Sequence, residues 1–561
     1  MRILTVVLPL LFAQTVYLKE LLLKVRVKQG ELRGTEKRTW GSRSYVAFYG
    51  IPYAEPPVGS RRFQAPVPAK GWNGVLNATT PGHICPQRDM FINDVTIRGN
   101  ENCLFLNVYT PKINSQQLLP VIVYIHGGGF MADSGDPRLY GPDILLDKDL
   151  VYVTMNYRIG ALGFLSLEDD VLPGNNGLKD QNLALRWVKE NIAAFEGNPS
   201  KITIFGNSAG GASVYHHILS PLSKGLFHGA ISSSGIATAT WAVAQKGEAK
   251  RNAQRLAKFL NCPTSSSHSI LKCLLKIDAL DIVEQNDKFM EFNYDPAIPH
   301  KPVIERDHAG AFLSAHPVDI LKSGIFAHVP YMNGITTDDG GLKSASIYNN
   351  YSLVERLDKD FDHIAPMVLH YDHLPSSQEL SRTIRKFYFQ DRSIDNNTKA
   401  EVTNIVTDPL FYYPQRVTSL LHSKYTKLPV YFYLFGYRGS VSMSQIIGDP
   451  EHDYGAIHGD DLTYLLSNTF YKGYNPTESD LKMNDIMTTL WYNFANTGDP
   501  TAELNSDIKA RWEPVENGNF KYFAIHDVNN IRMDDSLFED RFEFWEKLGV
   551  HDFGIKTKEE L

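Results

Sequence analysis

This sequence of 561 residues has few cysteines, no excess of basic over acidic residues and no long apolar run. Four cysteines are too few for a scaffold built on disulfides. The 56 basic residues do not outnumber the 63 acidic ones, which excludes the polybasic surface typical of nucleic-acid binding. No stretch reaches the roughly eighteen uninterrupted apolar residues of a membrane-spanning helix. What remains is an ordinary globular composition, 43% hydrophobic and 21% charged.

Metal-binding patterns and repeats are absent as well. No group of cysteines and histidines has the spacing of a metal site, so we expect no metal and no cofactor. No internal repeat, low-complexity segment or long Pro/Gly/Ser linker separates one part of the chain from another.

The two ends of the chain carry targeting signals. Arg2 precedes a mostly apolar run over residues 3–13, which is typical of a secretory signal peptide. We predict that peptide over residues 1–15, with the cleavage point left open; a buried N-terminal strand or helix is the alternative. Residues 558–561 read Lys-Glu-Glu-Leu and resemble the KDEL address that a retrieval receptor reads. The prediction is therefore the lumen of the endoplasmic reticulum, and otherwise secretion. Candidate glycosylation sequons, which suit either fate, begin at Asn77, Asn350 and Asn396.

Continuous apolar runs alternate with helical patterns along the middle of the chain. Such runs predict strands covered on both faces, as in a parallel sheet. A helix is predicted over residues 182–195, where apolar side chains recur at helical spacing. The sequence therefore indicates an α/β sheet with helices on both faces, whose ligands bind at the carboxyl ends of the strands. The predicted strands are residues 121–125, 150–155, 202–205, 229–232, 329–332 and 430–435.

A nucleophile motif follows one of these strands directly. Gly206-Asn207-Ser208-Ala209-Gly210 has the form G-x-S-x-G and leads into helix-compatible residues 212–219. A strand entering and a helix leaving is the context in which a strained turn lifts a serine hydroxyl above the sheet. This context, more than the motif itself, predicts that Ser208 is a nucleophile.

A glycine loop follows the strand at residues 121–125. His126-Gly127-Gly128-Gly129-Phe130 matches the loop that supplies oxyanion-hole amides in lipases and esterases. With the N–H of Ala209, the amides of Gly128 and Gly129 are candidates to bind the oxyanion of a tetrahedral intermediate. A flexible glycine loop is the alternative for this motif taken alone.

With both motifs in place, the chain resembles the carboxylesterase type B, or cholinesterase-like, family of α/β-hydrolases, and insect carboxylesterases in particular. The likeness runs from near residue 26 to near residue 550. It implies an α/β-hydrolase fold with a mostly parallel central sheet, helices on both faces and long insertions that form an active-site gorge. It also implies a single domain over residues 16–557. The segments that carry it include residues 48–59, 101–107 and 177–181.

A triad on this fold needs a carboxylate and then a histidine downstream of the serine. Among 18 histidines, His458 lies in the segment 455–462, which matches the family's base block. His126 and His452 are weaker rivals. Catalysis would follow the serine-hydrolase scheme, with His458 as the general base.

The resemblance puts the triad acid after a strand that ends near Asn333. Position by position, the acid is Asp339, where the family usually has glutamate, and Asp338 is left as a rival. Aspartate serves in other α/β-hydrolase triads, so this departure does not argue against activity. Ser234 is a candidate to support the triad by hydrogen bonding.

Differences between this sequence and related families narrow the range of candidate substrates. Cholinesterases carry a tryptophan between their first two cysteines, but the segment from Cys85 to Cys103 has none. The residue before the serine is Asn207, where cholinesterases have glutamate and typical juvenile-hormone esterases have glutamine. Acetylcholine is therefore disfavoured, and juvenile hormone less strongly so. Trp241 matches the acyl-pocket tryptophan of the family and Phe130 is a second pocket candidate; core packing is the alternative for both.

The sequence thus predicts a serine carboxylic-ester hydrolase that acts through an acyl-enzyme on hydrophobic carboxylic esters, with detoxification of xenobiotic esters as a role. The alternatives are a juvenile-hormone-type, pheromone or odorant esterase, and a scavenger that binds organophosphates or esters but turns them over poorly. Non-enzymatic adhesion relatives lack the nucleophile, so that class is disfavoured. The oligomeric state is left open. The resemblance also implies two short disulfides, Cys85–Cys103 and Cys262–Cys273.

Overall fold

The structure is a computed structural model that describes residues 23–92, 95–111, 117–471, 473–516 and 518–550. The predicted signal peptide at residues 1–15 and the retrieval tail at residues 558–561 lie outside these ranges. Across the ranges described, no helix combines the length and the apolar character needed to cross a membrane.

An eleven-stranded sheet forms the centre of the molecule, in the order β14-β13-β12-β11-β10-β9-β7-β8-β6-β4-β3. The seven strands from β13 to β8 pair in parallel, and the strands beyond them pair antiparallel. A smaller sheet has the order β1-β2-β5. The strands are β1 Lys24–Val27, β2 Gly30–Arg33, β3 Thr35–Arg38, β4 Ser44–Pro52, β5 Val75–Asn77, β6 Phe105–Thr110, β7 Leu119–Ile125, β8 Val151–Met155, β9 Gly197–Asn207, β10 Gly229–Ser233, β11 Tyr331–Thr336, β12 Val430–Phe435, β13 Tyr522–Asp527 and β14 Asn530–Asp534.

Helices cover both faces of the central sheet. The parallel strands β7, β8, β10, β11 and β12 are buried along their whole length, as expected when helices shield both faces. The helices are α1 Gly160–Phe164, α2 Asn176–Asn191, α3 Ala209–Leu219, α4 Glu248–Phe259, α5 Ser267–Leu274, α6 Ala279–Glu284, α7 Pro317–Ser323, α8 Gly341–Tyr348, α9 Tyr351–Lys359, α10 Phe361–Val368, α11 Ser377–Phe389, α12 Lys399–Thr407, α13 Tyr413–Tyr425, α14 Ser444–Ile447, α15 Glu478–Thr497 and α16 Glu539–Leu548.

The predicted fold class, a mostly parallel sheet with helices on both faces, is confirmed. All six predicted strands are present, although β11 runs to Thr336 rather than ending near Asn333. The predicted helix at residues 182–195 is displaced. The α-helix begins at Asn176 and ends at Asn191, and a 3₁₀ turn continues to Phe195. Its first turns bury polar side chains such as Asp180, which accepts hydrogen bonds from Arg158, so apolar spacing did not reveal them.

Both predicted disulfides are present, Cys85–Cys103 and Cys262–Cys273. They close loops with sequence separations of 18 and 11 residues. In the loop-entropy account each closure contributes about 3 kcal/mol to stability. The first loop supplies part of the wall of the cavity that Ser208 also lines, through Gln87, Asp89, Phe91, Ile92 and Arg98.

Candidate active site

Ser208 lies at the sharp turn between β9 and α3. Its backbone is left-handed, with φ 60° and ψ −126°, which is the strained geometry expected of a nucleophile at this turn. The amide of Ser208 donates a 2.9 Å hydrogen bond to the carbonyl of Ser233 on β10, which fixes the turn against the sheet. A Cβ on Gly210 would lie 2.0 Å from the Ile125 carbonyl oxygen, so glycine is required there.

The glycine loop after β7 faces this turn. Gly128 and Gly129 have φ values of +78° and +59°, and both line the same cavity as Ser208. Ala209 is the first residue of α3, so its amide is one of the donors that a helix leaves without an internal partner. Amides of these three residues make no hydrogen bond to another residue in the described part of the chain. The loop and the helix start therefore offer free donors beside the serine.

Asp339 and His458 form a hydrogen-bonded pair between β11 and the segment after β12. Nδ1 of His458 lies 2.8 Å from Oδ1 of Asp339, and both side chains are buried. The other carboxylate oxygen accepts hydrogen bonds from the Ser234 hydroxyl at 3.0 Å and the Thr336 amide at 3.1 Å. Nε2 of His458 has no hydrogen-bond partner among the described residues. The pair thus presents one unoccupied imidazole nitrogen, and His458 and Ser208 line one cavity.

The alternative candidates for the triad acid and base make other contacts. Asp338 accepts a 2.6 Å hydrogen bond from the Thr337 hydroxyl, and burial raises the pKa of its carboxyl. His126 stacks on Tyr157 with ring centroids 4.1 Å apart, and burial lowers its pKa to about 3. His452 pairs with Asp449 at 2.9 Å. None of these three side chains lines the cavity that contains Ser208.

A cavity of about 190 Å³ connects the candidate groups to the surface. Its wall includes Ser208, His458 and the three loop glycines, together with a largely apolar lining. An apolar cavity with a few convergent polar groups is the usual form of a small-molecule site.

Comparison with known proteins shows the family of the chain. A family model described as the carboxylesterase family matches residues 22–545. The chain belongs to the carboxylesterase family. It is 36% identical over 544 residues to a carboxylic ester hydrolase from Bombus ignitus, with 96% of each chain covered. It is also 36% identical over 535 residues to venom carboxylesterase-6 of Apis mellifera, with 94% of each chain covered.

A solved structure extends the comparison to three dimensions. Juvenile hormone esterase from Manduca sexta, with OTFP covalently attached, superposes with a TM-score of 0.84 at 28% identity, covering 94% of this chain and 99% of that chain. The present carboxylesterase has the α/β-hydrolase fold, and the relatives support its assignment as a carboxylic ester hydrolase.

The two pocket candidates of this carboxylesterase differ in position. Trp241 lines the cavity, and its indole N–H donates a 2.7 Å hydrogen bond to the Leu410 carbonyl. Phe130 does not line the cavity; it is fully buried and packs against Phe164 at 5.1 Å between ring centroids. Of the two interpretations open for Phe130, the structure therefore favours packing.

Two features of the carboxylesterase site escaped sequence reasoning. Phe411, in a π-helical turn over Asp408–Tyr412, packs its ring 4.7 Å from that of His458 and lines the cavity. The signal that could have indicated an irregular turn is the pair of prolines at 409 and 414. Such π-turns inside helices are frequent at functional sites.

The second feature is a buried hydrogen-bonded network beneath Ser208. The side-chain amide of Asn207 donates to the Ser233 hydroxyl at 3.2 Å, and that hydroxyl donates to Oδ2 of Asp461 at 2.5 Å. The Tyr433 hydroxyl donates to the same oxygen at 2.8 Å. Burial raises the pKa of Asp461. The network thus links Asn207, the residue before the nucleophile, to β10 through Ser233 and, by way of Asp461, to β12 through Tyr433.

Proposed function

We propose that Ser208 is the nucleophile of this carboxylic ester hydrolase, that His458 is its general base and that Asp339 orients the imidazole. The proposal rests on the 2.8 Å hydrogen bond between Nδ1 of His458 and Oδ1 of Asp339. It leaves Nε2 of His458 without a partner among the described residues, and His458 lines the same cavity as Ser208. A carboxylate on Nδ1–H holds the tautomer in which Nε2 can accept the serine proton.

The reaction then follows from the positions of these groups. The Ser208 hydroxyl oxygen attacks the ester carbonyl carbon while its proton moves to Nε2 of His458. The carbonyl oxygen becomes an oxyanion, which the amides of Gly128, Gly129 and Ala209 stabilise. The bond to the alcohol oxygen breaks, the alcohol leaves with the proton from His458, and an acyl-serine remains. Water deacylates it by the same route and releases the carboxylic acid.

We propose small hydrophobic esters as the substrates, because the lining around the candidate triad is largely apolar. Detoxification of xenobiotic esters suits such a site. The structural similarity to a juvenile hormone esterase makes juvenile hormone the second candidate substrate. Comparing kcat/KM for juvenile hormone and for a 4-nitrophenyl ester series would decide between them. A burst of one equivalent of nitrophenol followed by negligible turnover would indicate the scavenger instead.

The test of the nucleophile compares two serines of the same cavity. Ser134 is buried and lines the cavity but does not lie at the turn, so Ser134→Ala is the matched control for Ser208→Ala. Ser208→Ala should lose 4-nitrophenyl ester hydrolysis and labelling by an organophosphate, whereas Ser134→Ala should retain both. Labelling that persists in folded Ser208→Ala would overturn the assignment.

Two disulfides and the insect relatives indicate a protein of the secretory pathway. We further propose a signal peptide at residues 1–15, one domain over residues 16–557 and retrieval to the endoplasmic reticulum by residues 558–561. Deleting the last four residues should send the protein into the medium, and unchanged retention would contradict the retrieval proposal. We also propose that Asn77, Asn350 and Asn396, whose side chains are exposed, carry glycans. A change in electrophoretic mobility after glycosidase treatment would reveal them.

A further inference from the structure

A second histidine, His370, lines the active-site cavity and has no role in the proposed chemistry. It follows α10 and has a left-handed backbone, with φ 60°. This conformation is uncommon for a residue with a side chain. The residue is 8% exposed, and the influences on its imidazole from the described residues are burial and nearby charges, with no hydrogen bond among them. The turn therefore holds an imidazole at the wall of the cavity with its polar atoms unpaired.

Lys343 lines the same cavity from α8, which begins two residues after Asp339. Its ammonium forms a buried ion pair with Asp295, whose carboxylate also accepts a hydrogen bond from the Ala297 amide. The ammonium also lies 5.1 Å from the centroid of the Tyr294 ring. It has three donors, and Asp295 is its one hydrogen-bond acceptor among the described residues, so a donor is left for a ligand. His370 and Lys343 line one cavity, and the Lys343 charge helps to lower the pKa of His370, so we group the two side chains as one polar region of the wall.

The charges of this region are balanced. Asp295 offsets Lys343, and Glu248 pairs with the neighbouring Lys301 at 2.9 Å. Burial and these two lysines lower the pKa of His370 well below its usual value, so the imidazole is neutral. A neutral imidazole and a neutralised ammonium suit an uncharged hydrogen-bond acceptor better than an anion.

Apolar side chains of Trp241, Ile298 and Leu342 line the cavity as well. A ligand that fits is apolar over part of its length and carries an oxygen where it meets the polar region. We propose that His370 and Lys343 form an oxygen-binding subsite for esters that carry a second oxygen, as an ether, epoxide, hydroxyl or carbonyl, away from the scissile group. This inference rests on the proposed function, since it assigns a substrate class to the same cavity.

The experiment uses two series of esters. In the acyl series, 4-nitrophenyl octanoate is compared with analogues in which one ether oxygen replaces successive methylenes. In the alcohol series, octyl acetate is compared with its ether analogues by the release of acetate. The wild-type protein should prefer one ether position over its parent ester in at least one series, and the series that responds shows which side of the ester reaches the subsite.

His370→Gly removes the imidazole and accepts a positive φ without strain. It should lower that preference, measured as the ratio of kcat/KM for the ether analogue to kcat/KM for the parent ester, by about tenfold, the effect of one hydrogen bond. His370→Asn, which keeps an amide donor and tolerates the left-handed region, should retain part of the preference. His373→Ala is the matched control, because His373 is an exposed histidine three residues further on that does not line the cavity.

The outcomes separate the two proposals. If the wild-type protein hydrolyses none of the esters, the proposed function fails. If it hydrolyses the parent esters but shows no ether preference in either series, or if His370→Gly keeps the preference unchanged, the subsite is overturned and the proposed function stands.

Discussion

The hydroxyl of Ser234 donates a 3.0 Å hydrogen bond to Oδ2 of Asp339 and leaves Oδ1 of that carboxylate to His458. Ser234 follows β10 directly and has a left-handed φ of 45°, so the backbone itself aims the hydroxyl at the carboxylate. The hydrogen bond restricts rotation of the carboxylate, which in turn sets the plane of the imidazole. Ser234 is thus a positioning residue for the proposed triad.

Replacing this hydroxyl should slow the chemistry without weakening substrate binding. Ser234→Ala removes one hydrogen bond to a buried carboxylate, so we expect kcat to fall by about tenfold with KM unchanged. Ser232→Ala is the control, since the buried Ser232 hydroxyl donates instead to the Gly211 carbonyl at 3.0 Å. Equal losses of kcat in the two variants would show that Ser234 has a structural role only.

The choice between two adjacent aspartates gives a sharper prediction. Asp339→Asn should lower kcat/KM by about 10³- to 10⁴-fold, because an amide cannot hold the imidazole in the required tautomer and charge state. Asp338→Asn, whose carboxyl bonds to Thr337 instead, should stay within about threefold of the wild type. A reversed order of the two effects in steady-state assays would transfer the acid role to Asp338.

The proposed oxyanion role of the glycine loop can be tested with two glycines that have nearly the same φ angle. A Cβ on Gly128, at φ +78°, would lie 2.3 Å from the Ala132 carbonyl oxygen, so Gly128→Ala must displace the loop. Losing one oxyanion donor should lower kcat by about 10²- to 10³-fold. Gly225, at φ +79°, has no atom within 4 Å of an added Cβ. Gly225→Ala should therefore lose only a little thermal stability, and a comparable loss of kcat there would refute the oxyanion assignment.

How much of this site is visible in the sequence depends on whether the interactions are local. The strand, glycines and helix around Ser208 are contiguous, so their pattern alone predicts the turn. The resemblance pointed to Asp339 but left Asp338 as a rival, and what separates the two is a contact with His458 across 119 residues, which no local pattern contains. The same limit explains why the packing of Phe411 on His458 was missed.

We expect the ionisation of Asp133 to make the preference for cationic over uncharged esters depend on pH. It lines the cavity, and burial, with smaller effects from Asp89 and Asp136, raises its pKa to about 7. A carboxyl with this pKa is mostly neutral at pH 6 and mostly ionised at pH 8, so negative charge enters the cavity as the pH rises. The kcat/KM ratio of butyrylcholine to its uncharged analogue 3,3-dimethylbutyl butyrate should therefore increase about fivefold over this interval.

Taking the ratio of a charged and an uncharged ester removes the titration of the triad itself. Asp133→Asn, which cannot ionise, should give a ratio that is flat between pH 6 and pH 8. An unchanged slope in this variant would mean that another group supplies the charge.

The central claim is that the acyl group passes through Ser208, and mass spectrometry of the protein quenched during turnover tests it most directly. With a 4-nitrophenyl ester in excess, we expect one acyl group per chain, located on the peptide that contains Ser208 and absent from Ser208→Ala. An acyl group on any other residue, or unimpaired turnover by Ser208→Ala, would contradict it.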